Sequence, residues 1–470
     1  MAPPEDRARP CRPAADTLPD SQAALPGRGG RRRQHQLPAA LRELAHGLVR
    51  NKKAYIRLLV AILLPTFLLN GVTPQRPATG PATSVSLPTQ LQPPTSDADR
   101  PPLIRRSRSG NLKAAKSPPI PPTKVATAPP TAADPMTAAD IARDARWILR
   151  AQLPDGAIAT HLDRAAIWPY LANFAAIGLV EATRRTGDQR YLQAAWRWLA
   201  WYQAHEDARG FVTDYRRSGD VMVSTGDMDS IDAYAGTFLL AARAAFRISG
   251  DKARLGTLQR GISLAVRAIE ATQDRDGLTW AKPTWRVKYL MDQAETYAGL
   301  RAASELADAL GDHALTSRTT GDAERLRAGV AALWNSATGA YDWAKHDTGA
   351  RQPTNWRVLY PDALQQVWAV AFGLVDLKRA GGLIARFAAA QPRWDQPMAT
   401  AVYDKGQRNV GYWAPVGWAY TRIGQPQRAR TAAARIRAAA AATSRRWPFT
   451  PSDAAQLLVL QASNTDLLGR

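Results

Sequence analysis

The stretch Ser224–Phe246, STGDMDSIDAYAGTFLLAARAAF, begins as a polar loop and turns into an apolar helix. Inside it Asp229–Gly236 reads DSIDAYAG, and further on Asp292–Gly299 reads DQAETYAG. The shared pattern D-x-x-[DE]-x-Y-A-G recurs after roughly 60 residues, a period that belongs to arrays of helical hairpins. Each copy places two carboxylates three residues apart, on one face of a first helical turn. The repeat therefore predicts acidic side chains from two helices aimed into one site: Asp229 and Asp232 from the first, Asp292 and Glu295 from the second.

Outward from this stretch, residues 136–470 read as twelve helices, near 137–152, 168–186, 189–206, 229–249, 252–272, 291–310, 316–335, 362–378, 380–390, 411–423, 426–443 and 451–465. Gly187-Asp188, Gly250-Asp251 and Gly311-Asp312 each end one helix just before the next. Such short connectors force antiparallel neighbours. Arg379–Gly382 and Gly424–Pro426 read as two more. The other connectors are long, and they share turns such as Pro154-Asp155-Gly156, Asp276-Gly277-Leu278 and Thr338-Gly339-Ala340. Alternating short and long connectors put every long loop on one face, where function concentrates.

The expected fold class is all-α, an (α/α)6 toroid of six hairpins. Every second helix is inner, starting near Trp168, Asp229, Met291, Asp362, Gly411 and Pro451, and small residues at Gly178, Gly236, Gly299 and Gly417 suit a crowded inner ring. An open superhelix has the same repeat pattern, so closure is an expectation at this stage.

The chain is 470 residues long with a formal charge of +22, and 20 Lys/Arg against 7 Asp/Glu precede Asp134. Residues 1–57 are basic and lack periodicity, which predicts a disordered region. The apolar run Leu58–Leu69 follows Arg50, Lys52, Lys53 and Arg57, and segment 58–72 reads as an export signal or an uncleaved anchor. Residues 73–135 are rich in Pro and Thr, which predicts an extended linker. The folded part, 136–470, is then expected to work secreted or membrane-anchored, outside the cytoplasm.

With these residues in view, Met136 to the C-terminus resembles the six-hairpin glycosidases, the (α/α)6 barrel enzymes. Asp227–Ala235 is similar to the D-[AG]-D-x-x-[IM]-A-x-[SA] signature of glycoside hydrolase family eight, with Met228 and Asp232 departing from it. The resemblance implies a substrate cleft at the long-loop mouth and hydrolysis of a poly- or oligosaccharide by acidic residues there.

The chemistry also follows from the residues. Cleaving a glycosidic bond needs one protonated carboxyl for the leaving oxygen and one carboxylate on the other side of the sugar. Asp229, Asp232, Asp292 and Glu295 are the candidates. Asp155, Asp214 and Asp362 belong to the same mouth. Aromatic rings stack on sugar faces, so Trp168, Tyr170, Tyr215, Trp285, Tyr289, Tyr360, Tyr412 and Trp413, with Asp227, Tyr234 and Tyr297, are the expected substrate contacts. Three alternatives stay open. D-x-x-[DE] at a helix start is close to a capping box. A lyase or epimerase would use Tyr234, Tyr297 or Arg286 as base. A helical array can also bind carbohydrate without catalysis.

Other classes find no support. Cys11 is the one cysteine, so there is no intrachain disulfide and no cysteine metal site. The six histidines lack metal spacing, and no nucleophile elbow or phosphate loop is present. No cofactor or metal is expected, and no nucleic-acid partner. The expected partners are the carbohydrate and, through the N-terminal segment, a membrane; the expected state is a monomer.

Overall fold

The structure, a computed structural model, describes residues 136–396, 402–403, 407–408 and 413–461. The segments 1–57, 58–72 and 73–135, with Cys11 and the Leu58–Leu69 run, lie outside the described residues, as does Tyr412. Among the described residues no helix is long and apolar enough to cross a membrane.

The described helices are α1 Ala138–Ala151, α2 Pro169–Thr186, α3 Gln189–His205, α4 Ile231–Ser249, α5 Lys252–Thr257, α6 Gln259–Thr272, α7 Leu290–Leu310, α8 His313–Ala331, α9 Leu364–Ala371, α10 Leu377–Ala390, α11 Trp413–Arg422, α12 Pro426–Ala442 and α13 Pro451–Leu460. A kinked turn, Leu359–Ala363, with Tyr360 in extended backbone at φ −125° and ψ 133°, leads into α9. The glycine–aspartate connectors work as the sequence implies. Gly187, Gly250 and Gly311 adopt φ of 73°, 63° and 76° and end α2, α4 and α7. The next residues, Asp188, Asp251 and Asp312, then cap α3, α5 and α8 by accepting from backbone N–H groups.

The inner helices α2, α4, α7, α9, α11 and α13 touch in turn, and α13 returns to α2. The ring is closed, an all-α toroid. Helices α1, α3, α6, α8, α10 and α12 pack outside it. Glycine allows the closest approach, between α4 and α7: a Cβ on Gly299 would lie 2.4 Å from the Gly236 Cα. Gly178 likewise faces Ala455 across α2 and α13. The outer-helix aromatics Trp198, Trp201 and Tyr202 are buried core, as their helix position implies.

Several boundaries differ from the sequence reading, among them the helix expected over 316–335, which runs His313–Ala331 and leaves Trp334–Asn335 to a short strand. The helix expected over 362–378 stops at Ala371, because Gly373 turns left-handed at φ 79° and Asp376 caps α10. The connector is thus Phe372–Asp376, and Arg379–Gly382 lie inside α10. Leu374 and Val375 extended the apolar pattern because they are buried in the turn itself. The helix expected over 252–272 breaks at Leu258.

The long loops also hold small antiparallel sheets that were not expected. β1 Ala166–Ile167 pairs with β2 Tyr215–Ser218, which pairs with β3 Val221–Ser224. β4 Val287–Tyr289 pairs with β7 Ala344–His346, and β7 with β8 Arg351–Gln352. β5 Trp334–Asn335 pairs with β6 Ala340–Tyr341, and β9 Val402–Tyr403 with β10 Gln407–Arg408. Strands this short carry no readable alternation.

The turns after the outer helices repeat in detail. Gly156, Gly210 and Gly277 each donate to the residue three before them, and each lies against a carbonyl of the next outer helix. Four residues before each glycine is a helix-ending side chain. Gln152 donates to the Gly156 and Ala194 carbonyls, both at 2.9 Å. Gln273 does the same to Gly277 and Asp322 at 2.9 and 3.1 Å. The equivalent residue in the second hairpin is Glu206, buried and, among the described residues, without a hydrogen-bond donor to either carboxylate oxygen. Burial pushes its carboxyl up to about 9, against the lowering influence of Arg260. A raised carboxyl contributes stability that is full below its unfolded pKa and is lost as pH rises through the folded value. The wild type should therefore lose stability between about 4.5 and 9 on Glu206's account. Glu206→Gln restores the amide of its two sister turns and should stabilise the fold by ~1–3 kcal/mol at neutral pH. Melting curves across pH check this; a variant no more stable than wild type at pH 8 would refute the equivalence.

Candidate active site

The N-termini of α4 and α7 meet at the long-loop face. Ser230 is the N-cap of α4, yet it makes no side-chain cap. Its hydroxyl instead reaches two carboxyls, Asp232 Oδ1 at 2.5 Å and Asp292 Oδ2 at 3.0 Å. One hydroxyl has one proton to donate. The second contact therefore needs a proton on a carboxyl, so Asp232 and Asp292 hold one between them. Burial pushes Asp232 up to about 6, opposed by its hydrogen bonds from Ser230 and Thr279. Burial, then repulsion from Asp232 and Glu295, holds Asp292 well above the usual carboxylate range. Asp232 also accepts from Thr279 Oγ1 at 2.6 Å and from the Ala233 N–H at 2.9 Å. These carboxyls join two inner helices that Gly236 and Gly299 bring together.

Glu295 is three residues deeper than Asp292 on α7. Its Oε1 accepts from the Tyr170 hydroxyl at 2.6 Å and the Trp368 indole at 3.0 Å, from α2 and α9. Burial pushes Glu295 up to about 8, with Asp232 and Asp229 adding repulsion. Asp214, before β2, accepts from the Tyr234 hydroxyl at 2.8 Å, and burial raises it to about 7. Asp229 is open to solvent, yet crowding by protein atoms raises its carboxyl while Lys282 opposes the rise. Lys282 is anchored on Asp227 at 2.8 Å and on the Met228 carbonyl.

The structure thus brings Asp229, Asp232, Asp292 and Glu295 within electrostatic range of one another, and Asp214 within range of Asp229. It does not make the repeats capping boxes. True capping boxes stand elsewhere, at Thr137–Asp140 and Thr450–Asp453. Asp229 precedes α4, whereas Asp292 is already in the first turn of α7, whose N-cap Tyr289 forms no side-chain cap.

The other expected contacts divide. Tyr170 and Tyr234 stack at 6.1 Å beside the acids, and Tyr360 lies near enough to influence Tyr170. Trp285 is 47% exposed, and its indole donates to the Tyr289 hydroxyl at 2.9 Å. Tyr289 in turn stacks on Trp343 at 6.1 Å with planes 7° apart. Tyr215 packs edge-on against Trp201 and His205, and Trp168 against Trp447. Asp155 accepts from the Trp201 indole in the first turn repeat, and Asp362 from the Asn355 N–H. Trp413 is buried and donates to the Trp394 carbonyl, and Tyr297 receives Arg301 at 3.5 Å. Asp155, Asp362, Trp413 and Tyr297 share no hydrogen bond with the acidic cluster among the described residues. Ser230, Thr279, Lys282 and Trp368 are additions to the sequence-derived set. Ser230 stands inside the quoted stretch and Thr279 directly follows a repeated turn, whereas Trp368 gave no signal on a wholly buried helix.

Among the described residues no group of three or more His, Cys, Asp or Glu side chains has a metal-holding arrangement. No protein-family model matches the sequence, and no curated protein matches it. Solved structures do match. One is the GH63 mannosylglycerate hydrolase from Thermus thermophilus in complex with Tris and D-glycerate, at 12% identity and TM-score 0.53, covering 68% of this chain and 99% of that one. Another is a glycosidase variant in complex with glucose, at 18% identity and TM-score 0.51, covering 71% and 98%. The toroid described above is therefore the fold of solved glycosidases.

Proposed function

We propose that the protein is a glycoside hydrolase acting on a poly- or oligosaccharide at the long-loop mouth. The observation that carries this reading is a run of five neighbouring carboxyls, held at graded proton affinities, at the long-loop end of a toroid shared with glycosidases. Glu295 is the general acid: burial keeps it protonated at neutral pH, and two donors fix its orientation. Asp229 is the base, because it meets solvent and Lys282 favours its ionised form. Asp232 is fully buried and takes three donors, so its role, with Asp292 and Ser230, is to hold one proton beneath the reacting pair. The stretch Asp227–Ala235, similar to the family-eight signature, supplies the base and part of that floor. Trp285, Tyr289 and Trp343 form the aromatic shelf for a sugar ring.

The test is incubation of the purified protein with a panel of poly- and oligosaccharides, followed by product analysis. New reducing ends from at least one substrate are expected. Folded protein that releases none, or that releases only unsaturated products, would overturn the hydrolase reading. We further propose that the enzyme works outside the cytoplasm, on the strength of Leu58–Leu69 behind four basic residues. A fusion of Met1–Gly80 to a reporter active only after export should be active; a stable but silent fusion would refute this.

A further inference from the structure

A concavity of about 510 Å3 opens on the outer wall over α1 and the start of α3. Arg143, Arg146, Arg150, Arg190 and Arg445 line it with the buried Trp147, and among the described residues no acidic side chain does. Three of these guanidiniums are fixed by ion pairs with carboxylates. Arg143 is held by Asp140 at 2.7 Å and Asp144 at 3.2 Å. Arg190 forks onto Asp188 at 2.7 and 3.0 Å, and Arg445 binds Asp144, which is buried. Arg445 comes from the loop after α12, in left-handed backbone at φ 55°, so the last hairpin completes a cradle begun by the first.

Arg146 and Arg150 differ from these three. Both are exposed, stand four residues apart on α1, and have no acidic partner among the described residues. Like charges at that spacing repel along a helix, and the neighbouring Arg143 adds to the repulsion. Nothing in the fold uses the pair, and a bound anion would relieve it.

We propose that this concavity binds a phosphate group, free or as the headgroup of an anionic lipid. Planar guanidinium forks match phosphate oxygens two at a time, and those of Arg146 and Arg150 are claimed by no carboxylate among the described residues. The site is independent of the acidic mouth and of the reaction proposed there.

Thermal melting of the full chain is the readout, because ligand held by the folded state alone raises Tm. Anions attracted equally to folded and unfolded chains by the basic sequence before Asp134 cancel. Inorganic pyrophosphate should raise Tm saturably. In Arg146→Glu/Arg150→Glu the apparent affinity should fall by about tenfold or more. Arg327→Glu/Arg430→Glu makes the same charge change elsewhere and should leave the shift unaltered. Arg146→Gln/Arg150→Gln covers the case in which charge reversal disturbs α1. A second arm replaces pyrophosphate with phosphatidylglycerol vesicles, with phosphatidylcholine as blank. A shift with both ligands assigns the headgroup as a source, and a shift with pyrophosphate alone assigns the free anion. No saturable shift in the wild type, or equal loss in both charge-reversed doubles, would overturn the proposal.

Discussion

Glu295→Gln is expected to lower turnover by ~10²–10⁴-fold on whichever saccharide the wild type cleaves, the usual contribution of a general acid. The amide keeps the oxygen that accepts from Tyr170 and Trp368, so the fold should persist. Stability should even move the other way. Glu295 is raised to about 8, so its contribution to wild-type stability is full below its unfolded pKa and is lost as pH rises through 8. The variant lacks this loss and should melt no lower than wild type at pH 8. Activity of the wild type should fall along the same limb, as the acid gives up its proton. Steady-state rates and melting curves on one preparation decide the matter. Near-full activity in the variant would remove Glu295 from the reaction.

Gly299→Ala should destabilise the toroid even though alanine is the better helix former by ~1 kcal/mol. The added methyl would meet Gly236 Cα at 2.4 Å and its carbonyl oxygen at 2.6 Å, and both are backbone atoms of a ring helix. Overpacking of this kind costs ~1–3 kcal/mol, and here it outweighs the propensity gain. Gly382→Ala is the matched contrast. That glycine is inside α10 with nothing within 4 Å of its Cβ position, so the same change should stabilise by ~0.5–1 kcal/mol. Opposite signs for the two Tm shifts are expected. A Gly299→Ala protein that melts higher than wild type would mean the helices can part there.

Much of the fold was legible because its punctuation is local. A glycine that must turn left-handed and an aspartate that caps the next helix mark a hairpin without reference to anything distant. Leu374 and Val375 misled for the opposite reason, since their burial comes from tertiary packing while the chain turns at Gly373. The acidic repeat was legible as residues, and it located both helices. The hydrogen bonding was not, because Ser230 is an ordinary N-cap by sequence and only the neighbouring helix diverts its hydroxyl to Asp292. Trp368 was invisible for a similar reason. An indole on a buried helix reads as packing until a glutamate from another helix is known to face it.

Arg185, near the end of α2, donates to the Met136 carbonyl at 3.3 Å and to the Gln461 carbonyl at 3.4 Å. One side chain thus pins both the way into the ring and the way out of it. Since α2 and α13 start at the mouth, both attachment points lie at the opposite pole. A short peptide between Gln461 and Met136 would turn residues 136–461 into a circle, so new ends can be cut in a turn such as Gly219-Asp220, between β2 and β3, while the order of helices around the ring is kept.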